Sequence, residues 1–127
     1  MPASLSVLIV DDDPSMASAL ADVLQVKGFD VHTAPSGGAA LEVLQRASVD
    51  VLLTDVRMAD MDGLALYRQV RRSHPHLTTI LMTAYAADEL IQKGMAEGIK
   101  TVLTKPIDNN FLLTLLHAIK KISKKNA

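Results

Sequence analysis

Leu8-Ile9-Val10-Asp11-Asp12-Asp13, followed by Pro14, joins a short apolar run directly to a row of carboxylates. An apolar run of this length, bounded by Asp and Pro, reads as a buried strand of a parallel sheet. Adjacent carboxylates at its end repel each other and resist desolvation, so they cost stability unless a cation compensates. A divalent ion such as Mg²⁺, which takes oxygen ligands, is the natural compensation. Asp13 has a simpler use as the cap of the next helix, with Pro14 at the first helical position. That leaves Asp11 and Asp12 to be explained.

Outward from this stretch, short apolar runs alternate with longer amphipathic ones. Strands are predicted over Leu5–Val10, Val31–Ala34, Val49–Thr54 (ending on Asp55), Thr79–Met82 (ending on Thr83) and Thr101–Leu103, with Lys105-Pro106 closing the last. Helices are predicted from Pro14 to about Lys27, from the cap Ser36 to about Arg46, from Leu64 to about Ser73, from Ala87 to Glu97, and from Phe111 to about Ile122. Gly28 stops the first helix, Asp62-Gly63 marks a turn, and Gly94 makes the fourth helix the least stable. Strict alternation argues for an α/β fold, a doubly wound five-stranded parallel sheet with helices on both faces.

The chain has 127 residues, net charge −1 and no cysteine. That length predicts a single domain over residues 1–127, with a core over 5–122 and a frayed tail over 123–127. The stretch from Lys120 onward is basic and polar. The charge balance gives no reason to expect nucleic acid or membrane as a partner. Cysteine chemistry and thiolate zinc sites are excluded. No apolar stretch approaches a membrane span, and residues 1–4 lack signal-peptide character, so a cytoplasmic protein is expected. The histidines at 32, 74, 76 and 117 lack metal-ligand spacing and read as solvated surface. Met58 and Met61 read as adaptable loop-packing residues.

In open parallel sheets, ligands bind outside the carboxyl ends of the strands. Asp11, Asp12, Asp55, Thr83 and Lys105 all follow or end strands, so they share one edge. Asp12 and Asp55 could hold Mg²⁺, with Asp11 reaching it through water, while Lys105 and Thr83 face an anion. The set suits a phosphoryl group: metal and ammonium neutralise its oxygens while a carboxylate attacks phosphorus. Asp55, at the most central strand end, is the best nucleophile.

Taken together and in order, Val7-Leu8-Ile9-Val10-Asp11-Asp12, Asp55-Val56-Arg57-Met58, Met61-Asp62-Gly63, Met82-Thr83-Ala84 and Lys105-Pro106 resemble a response regulator receiver domain of two-component signalling. The resemblance covers residues 5–122. It implies a (βα)₅ flavodoxin-like sheet in the order 2-1-3-4-5. It also implies that Asp55 accepts a phosphoryl group from a histidine kinase or phosphotransfer protein and so switches a downstream output domain or target. Asp12, Asp55 and the backbone carbonyl of Arg57 would ligate Mg²⁺, and Asp11 would help through water. Thr83 would bind the phosphoryl group and draw its loop inward, Lys105 would pair with it, and the Lys105-Pro106 peptide is often cis in such proteins. The domain would act as a switch rather than a turnover enzyme, catalysing only its own phosphorylation and slow dephosphorylation. A homodimer through the last two helices fits the resemblance, although no residue compels it.

This chain departs from the pattern at two positions. Ala59 stands where Pro is common, which predicts a less rigid loop. Val102 stands where an aromatic ring usually rotates inward, and its short, stiff side chain cannot do so. Signalling is therefore expected to rely on the loop after Thr83 and the helix beyond it. Tyr85 either screens the site from water or covers apolar surface. Two other readings compete. A haloacid-dehalogenase-like phosphatase would use Asp11 as nucleophile and Asp13 as acid/base, but it needs a further acidic pair where only Asp108 follows Lys105. A receiver-like interaction module would take no phosphate. The chain is expected to be either a stand-alone regulator or a receiver belonging to a larger regulator or hybrid kinase.

Overall fold

Each apolar run becomes a strand and each amphipathic run a helix in the computed structural model, which describes residues 4–125. The order is β1 (Ser6–Val10), α1 (Pro14–Val26), β2 (Asp30–Ala34), α2 (Gly37–Arg46), β3 (Val51–Asp55), α3 (Gly63–Ser73), β4 (Thr78–Thr83), α4 (Glu89–Ala96), β5 (Thr101–Thr104) and α5 (Asn109–Lys125). All strand pairs are parallel, and the sheet order is β2-β1-β3-β4-β5. Because the chain runs outward from β1 to β2 and then returns to β3, the order reverses between β1 and β3. That reversal opens a crevice at the strand ends.

The register aligns those ends. Val10 of β1 pairs with Thr54 of β3, Asp55 pairs with Met82 of β4, and Thr83 pairs with Thr104 of β5. Every residue of β1 and β3 is buried, as expected for central strands covered on both faces. Alternation then splits the core. Val7, Ile9, Val51, Leu53, Ile80 and Met82 pack beneath α1 and α5 with Leu20, Leu24, Leu112 and Leu116. Leu8, Val10 and Leu52 face the other way, against Leu44 of α2 and Leu66 and Val70 of α3. Each fully buried Leu or Ile contributes roughly 1.5–3 kcal/mol by leaving water.

Capping residues move several boundaries from their expected places. Asp13 caps α1 as expected, accepting from the Ser15 and Met16 N–H groups, and Ser36 caps α2 by accepting from Ala39 N–H. Asp88 accepts from Leu90 N–H and so starts α4 at Glu89 rather than Ala87. Asp108 accepts from Phe111 N–H, which lets α5 begin at Asn109 rather than Phe111. Asp50 accepts from Ser6 N–H at 2.8 Å, and β3 starts at Val51, two residues later than the expected Val49. At the other end, α5 runs on through Lys125 instead of fraying after Ile122. Lys and Ile are adequate helix formers, and no Gly or Pro interrupts them. Of the expected tail, residues 126 and 127 lie outside the described residues.

Gly94 has a packing reason to be in α4. A Cβ there would lie 3.1 Å from Ile99 Cδ1 and 3.5 Å from Leu81 Cδ1, so its absence lets the helix settle onto β4. Among the described residues, no helix is long and apolar enough to cross a membrane.

Candidate functional site

Three strand ends converge at one ion cluster. Lys105, just after β5, places its Nζ 2.9 Å from Asp11 Oδ2 and 3.1 Å from Asp55 Oδ2. Asp11 follows β1 and is only 1 % exposed, and its Oδ1 also accepts from Asp13 N–H at 2.9 Å. Asp55 ends β3 and is buried, while Asp12 beside it is exposed. One carboxylate oxygen from each of Asp11, Asp12 and Asp55 lies within 4.8 Å of the other two. An all-oxygen anionic cluster this tight fits the ligand preference of a hard divalent cation. The Lys105-Pro106 peptide is cis, and the Lys105 N–H donates to Thr83 O at 2.7 Å, fixing the start of the lysine's loop against β4.

Burial raises the Asp55 pKa above the usual carboxylate value, and the charge of Asp11 adds to the rise. The hydrogen bond and charge of Lys105 oppose it without cancelling it. For Lys105, burial works to lower the pKa, but the hydrogen bonds to Asp11 and Asp55 outweigh it and the net shift is upward. The ammonium thus stays charged between two carboxylates that would otherwise repel each other.

Thr83 is buried at the end of β4, but its hydroxyl is turned to its own loop. Thr83 Oγ1 donates to Tyr85 O and accepts from Tyr85 N–H, both at 3.0 Å. Tyr85 itself is 67 % exposed. Val102 is partly buried and packs on Val56, Leu64, Leu81, Ile91 and Ile99, so it supports α4 from below.

Two contacts had no signal in the sequence. Arg57 donates from Nε and Nη2 to the two Asp88 oxygens, each at 2.7 Å, across 31 positions. The hydrogen bond from Arg57 holds the Asp88 carboxyl below its usual range against the opposing effect of burial. Asp60 accepts from Gly37 N–H at 3.2 Å and Gly38 N–H at 2.9 Å, tying the β3–α3 loop to the start of α2. This tie holds the loop in which Ala59 stands. Asp88 before an apolar run was readable as a helix cap; its pairing with Arg57 was not. Met58 and Met61 pack on the α2–α3 side of the core, as expected of loop-packing residues.

The described structure therefore brings Asp11, Asp12, Asp55 and Lys105 together and leaves Thr83 adjacent but engaged elsewhere. A family model described as the response regulator receiver domain matches residues 7–117. Transcriptional regulatory protein GlrR of Escherichia coli (strain K12) is 37% identical over 106 residues, covering 84% of this chain and 24% of that protein. Response regulator protein FleR of Pseudomonas aeruginosa is 38% identical over 115 residues, covering 89% of this chain and 24% of that protein. The chain thus spans about a quarter of the length of these curated relatives. Among solved structures, chemotaxis protein CheY4 of Vibrio cholerae has a TM-score of 0.85 at 33% identity, covering 92% of this chain and 99% of that one. A CheY-like receiver domain protein from Methanospirillum hungatei JF-1 has a TM-score of 0.91 at 24% identity, covering 98% and 100%, a likeness of fold.

Proposed function

The chain belongs to the response regulator receiver domain family, the phosphoacceptor domains of two-component signalling, and on that premise we propose that Asp55 is the residue that takes the phosphoryl group. The observation that supports this most is the Lys105 ammonium held between Asp11 and Asp55 at 2.9 and 3.1 Å. It is a fixed positive charge beside a carboxylate at the central strand end, where charge develops during phosphoryl transfer.

In this reading an Asp55 carboxylate oxygen forms the new bond to phosphorus as the bond to a phosphohistidine nitrogen breaks. The electron pair leaves with that nitrogen, which is protonated in the partner. Lys105 exchanges part of its carboxylate pairing for the phosphoryl oxygens. Thr83 releases Tyr85 O and donates to the acyl phosphate, which draws residues 84–87 toward the site. Receiver domains generally bind Mg²⁺ in an acidic pocket, and Asp12, Asp55 and the Arg57 carbonyl would hold it here, with Asp11 in support. When bound, the ion supplies further positive charge against the phosphoryl oxygens.

The domain is a regulatory switch; we assign it self-phosphorylation from small donors and slow loss of the phosphoryl group to water. The donor in the cell would be a histidine kinase or phosphotransfer protein. GlrR is named a transcriptional regulatory protein, and in the same way an output domain or separate target would read this switch in the cytoplasm, with no nucleic acid contacted by this chain. Residues 5–122 would act as one receiver unit. The phosphatase reading is disfavoured because Asp13, its acid/base, is occupied at 3.0 Å by Ser15 N–H as a helix cap. Labelling with a small phosphodonor tests the assignment. Wild type should take label only with Mg²⁺, and Asp55→Asn should take none; equal labelling of both would refute it.

A further inference from the structure

The loop after Asp55 is held at two points. Its far end is fixed by Asp60, which accepts from Gly37, Gly38 and Met61 N–H groups at 3.2, 2.9 and 2.8 Å. Its near end carries Arg57, whose guanidinium grips both oxygens of Asp88. Asp88 is only 6 % exposed and also accepts from Leu90 N–H at 3.0 Å. A single carboxylate therefore both starts α4 and holds the residue two positions beyond Asp55.

Besides the apolar packing of Val56 and Leu81 on Ile91, two polar routes lead from the site to α4. One runs from Thr83 along the exposed residues 84–87, where Tyr85 O accepts from both Thr83 Oγ1 at 3.0 Å and Asp88 N–H at 3.1 Å. The other runs through the Arg57–Asp88 pair. A planar guanidinium on a carboxylate fixes orientation as well as distance, so the pair couples the two loops even though the Arg57 side chain is 68 % exposed. Asp60 anchors the far side of the same loop, which confines displacement to the Arg57 end. Val102 offers no rotating ring as a further path.

We propose that Asp88 is a positioning residue that, through Arg57, makes the start of α4 follow the β3–α3 loop, so that occupation of the Asp55 site is read out as movement of α4. This rests on the assignment of Asp55 as phosphoacceptor. The test is amide NMR of the whole chain, with and without Mg²⁺ and beryllofluoride as phosphoryl mimic. In the wild type, amides near Asp11 and Asp55 and those of residues 89–96 should all shift. In Asp88→Asn, which keeps a good helix cap but loses the charged pair, the site shifts should persist while those of α4 shrink about two-fold or more. Asp88→Ser, another good cap, should behave alike, with hydrogen exchange showing α4 still folded in both. A wild-type α4 response in either variant overturns the proposal, as does a wild-type protein whose site responds while α4 does not. Absence of any response near Asp11 and Asp55 in the wild type would instead refute the phosphoacceptor assignment, and this proposal with it.

Discussion

Lys105 Nζ lies 3.1 Å from Asp55 Oδ2, across 50 positions of chain and two strand boundaries. The same ammonium reaches Asp11, and all three side chains are largely withdrawn from water, at 18, 13 and 1 % exposure. Folding must therefore desolvate two carboxylates and one ammonium together, and their mutual attraction has to offset that cost.

Replacing Lys105 with Met leaves two buried carboxylates facing each other without a counter-charge. Urea unfolding at neutral pH should show a loss of roughly 3 kcal/mol. Added Mg²⁺ should recover part of it, because it supplies the missing positive charge. A variant as stable as the wild type would mean the carboxylates are already compensated by something else.

Mg²⁺ itself should stabilise the wild type, by about 2.7 kcal/mol at a hundredfold excess over its dissociation constant. Asp12→Ala should lose most of this gain. Asp13→Asn should keep it and unfold at nearly the wild-type temperature, since Asn caps α1 as well as Asp does. Thermal melts of the three proteins with and without the ion separate the neighbouring aspartates by role.

Glu97 gives a pH signature away from the site. Hydrogen bonds from Arg68 hold the Glu97 carboxyl below its ordinary 4.5; burial opposes them, and the charges of Arg68 and Arg71 add to the lowering. A carboxylate whose folded pKa lies below its unfolded one stabilises fully above the unfolded value, and the stabilisation fades as pH falls through the folded value. The Tm difference between wild type and Glu97→Gln should stay flat from neutral pH down to about 5 and close at lower pH. A difference unchanged at pH 3 would exclude the pairing as its source.

Gly37→Ala should destabilise the protein even though Ala is the better helix former. A Cβ at Gly37 would run into the Met61 side chain, which covers the start of α2. We expect a loss of about 1–2 kcal/mol from overpacking. Met61→Ala should relieve it, so urea titrations of the single and double variants should give strongly non-additive values; additive ones would place the strain elsewhere.

Much of this was legible in the chain because the relevant physics is local. The period of the apolar residues gave ten elements, and Asp13-Pro14 and Ser36 announced two helix starts. Strand-end positions for Asp11, Asp55, Thr83 and Lys105 followed from the alternation alone, and the resemblance gave the sheet order. Arg57–Asp88 and Asp60–Gly38 were not legible, since each joins loops 31 and 22 positions apart and neither leaves a trace in periodicity. The present orientation of Thr83 toward Tyr85 was equally hidden, because a hydroxyl can serve either its own loop or a neighbouring anion.

The central claim is that the chemistry belongs to Asp55 and that the opening aspartates serve the metal. Peptide mass mapping after incubation with Mg²⁺ and a small acyl phosphate locates the phosphoryl group directly. Our account predicts it on Asp55 and on no other residue; a phosphoryl group on Asp11 or Asp12 would contradict it.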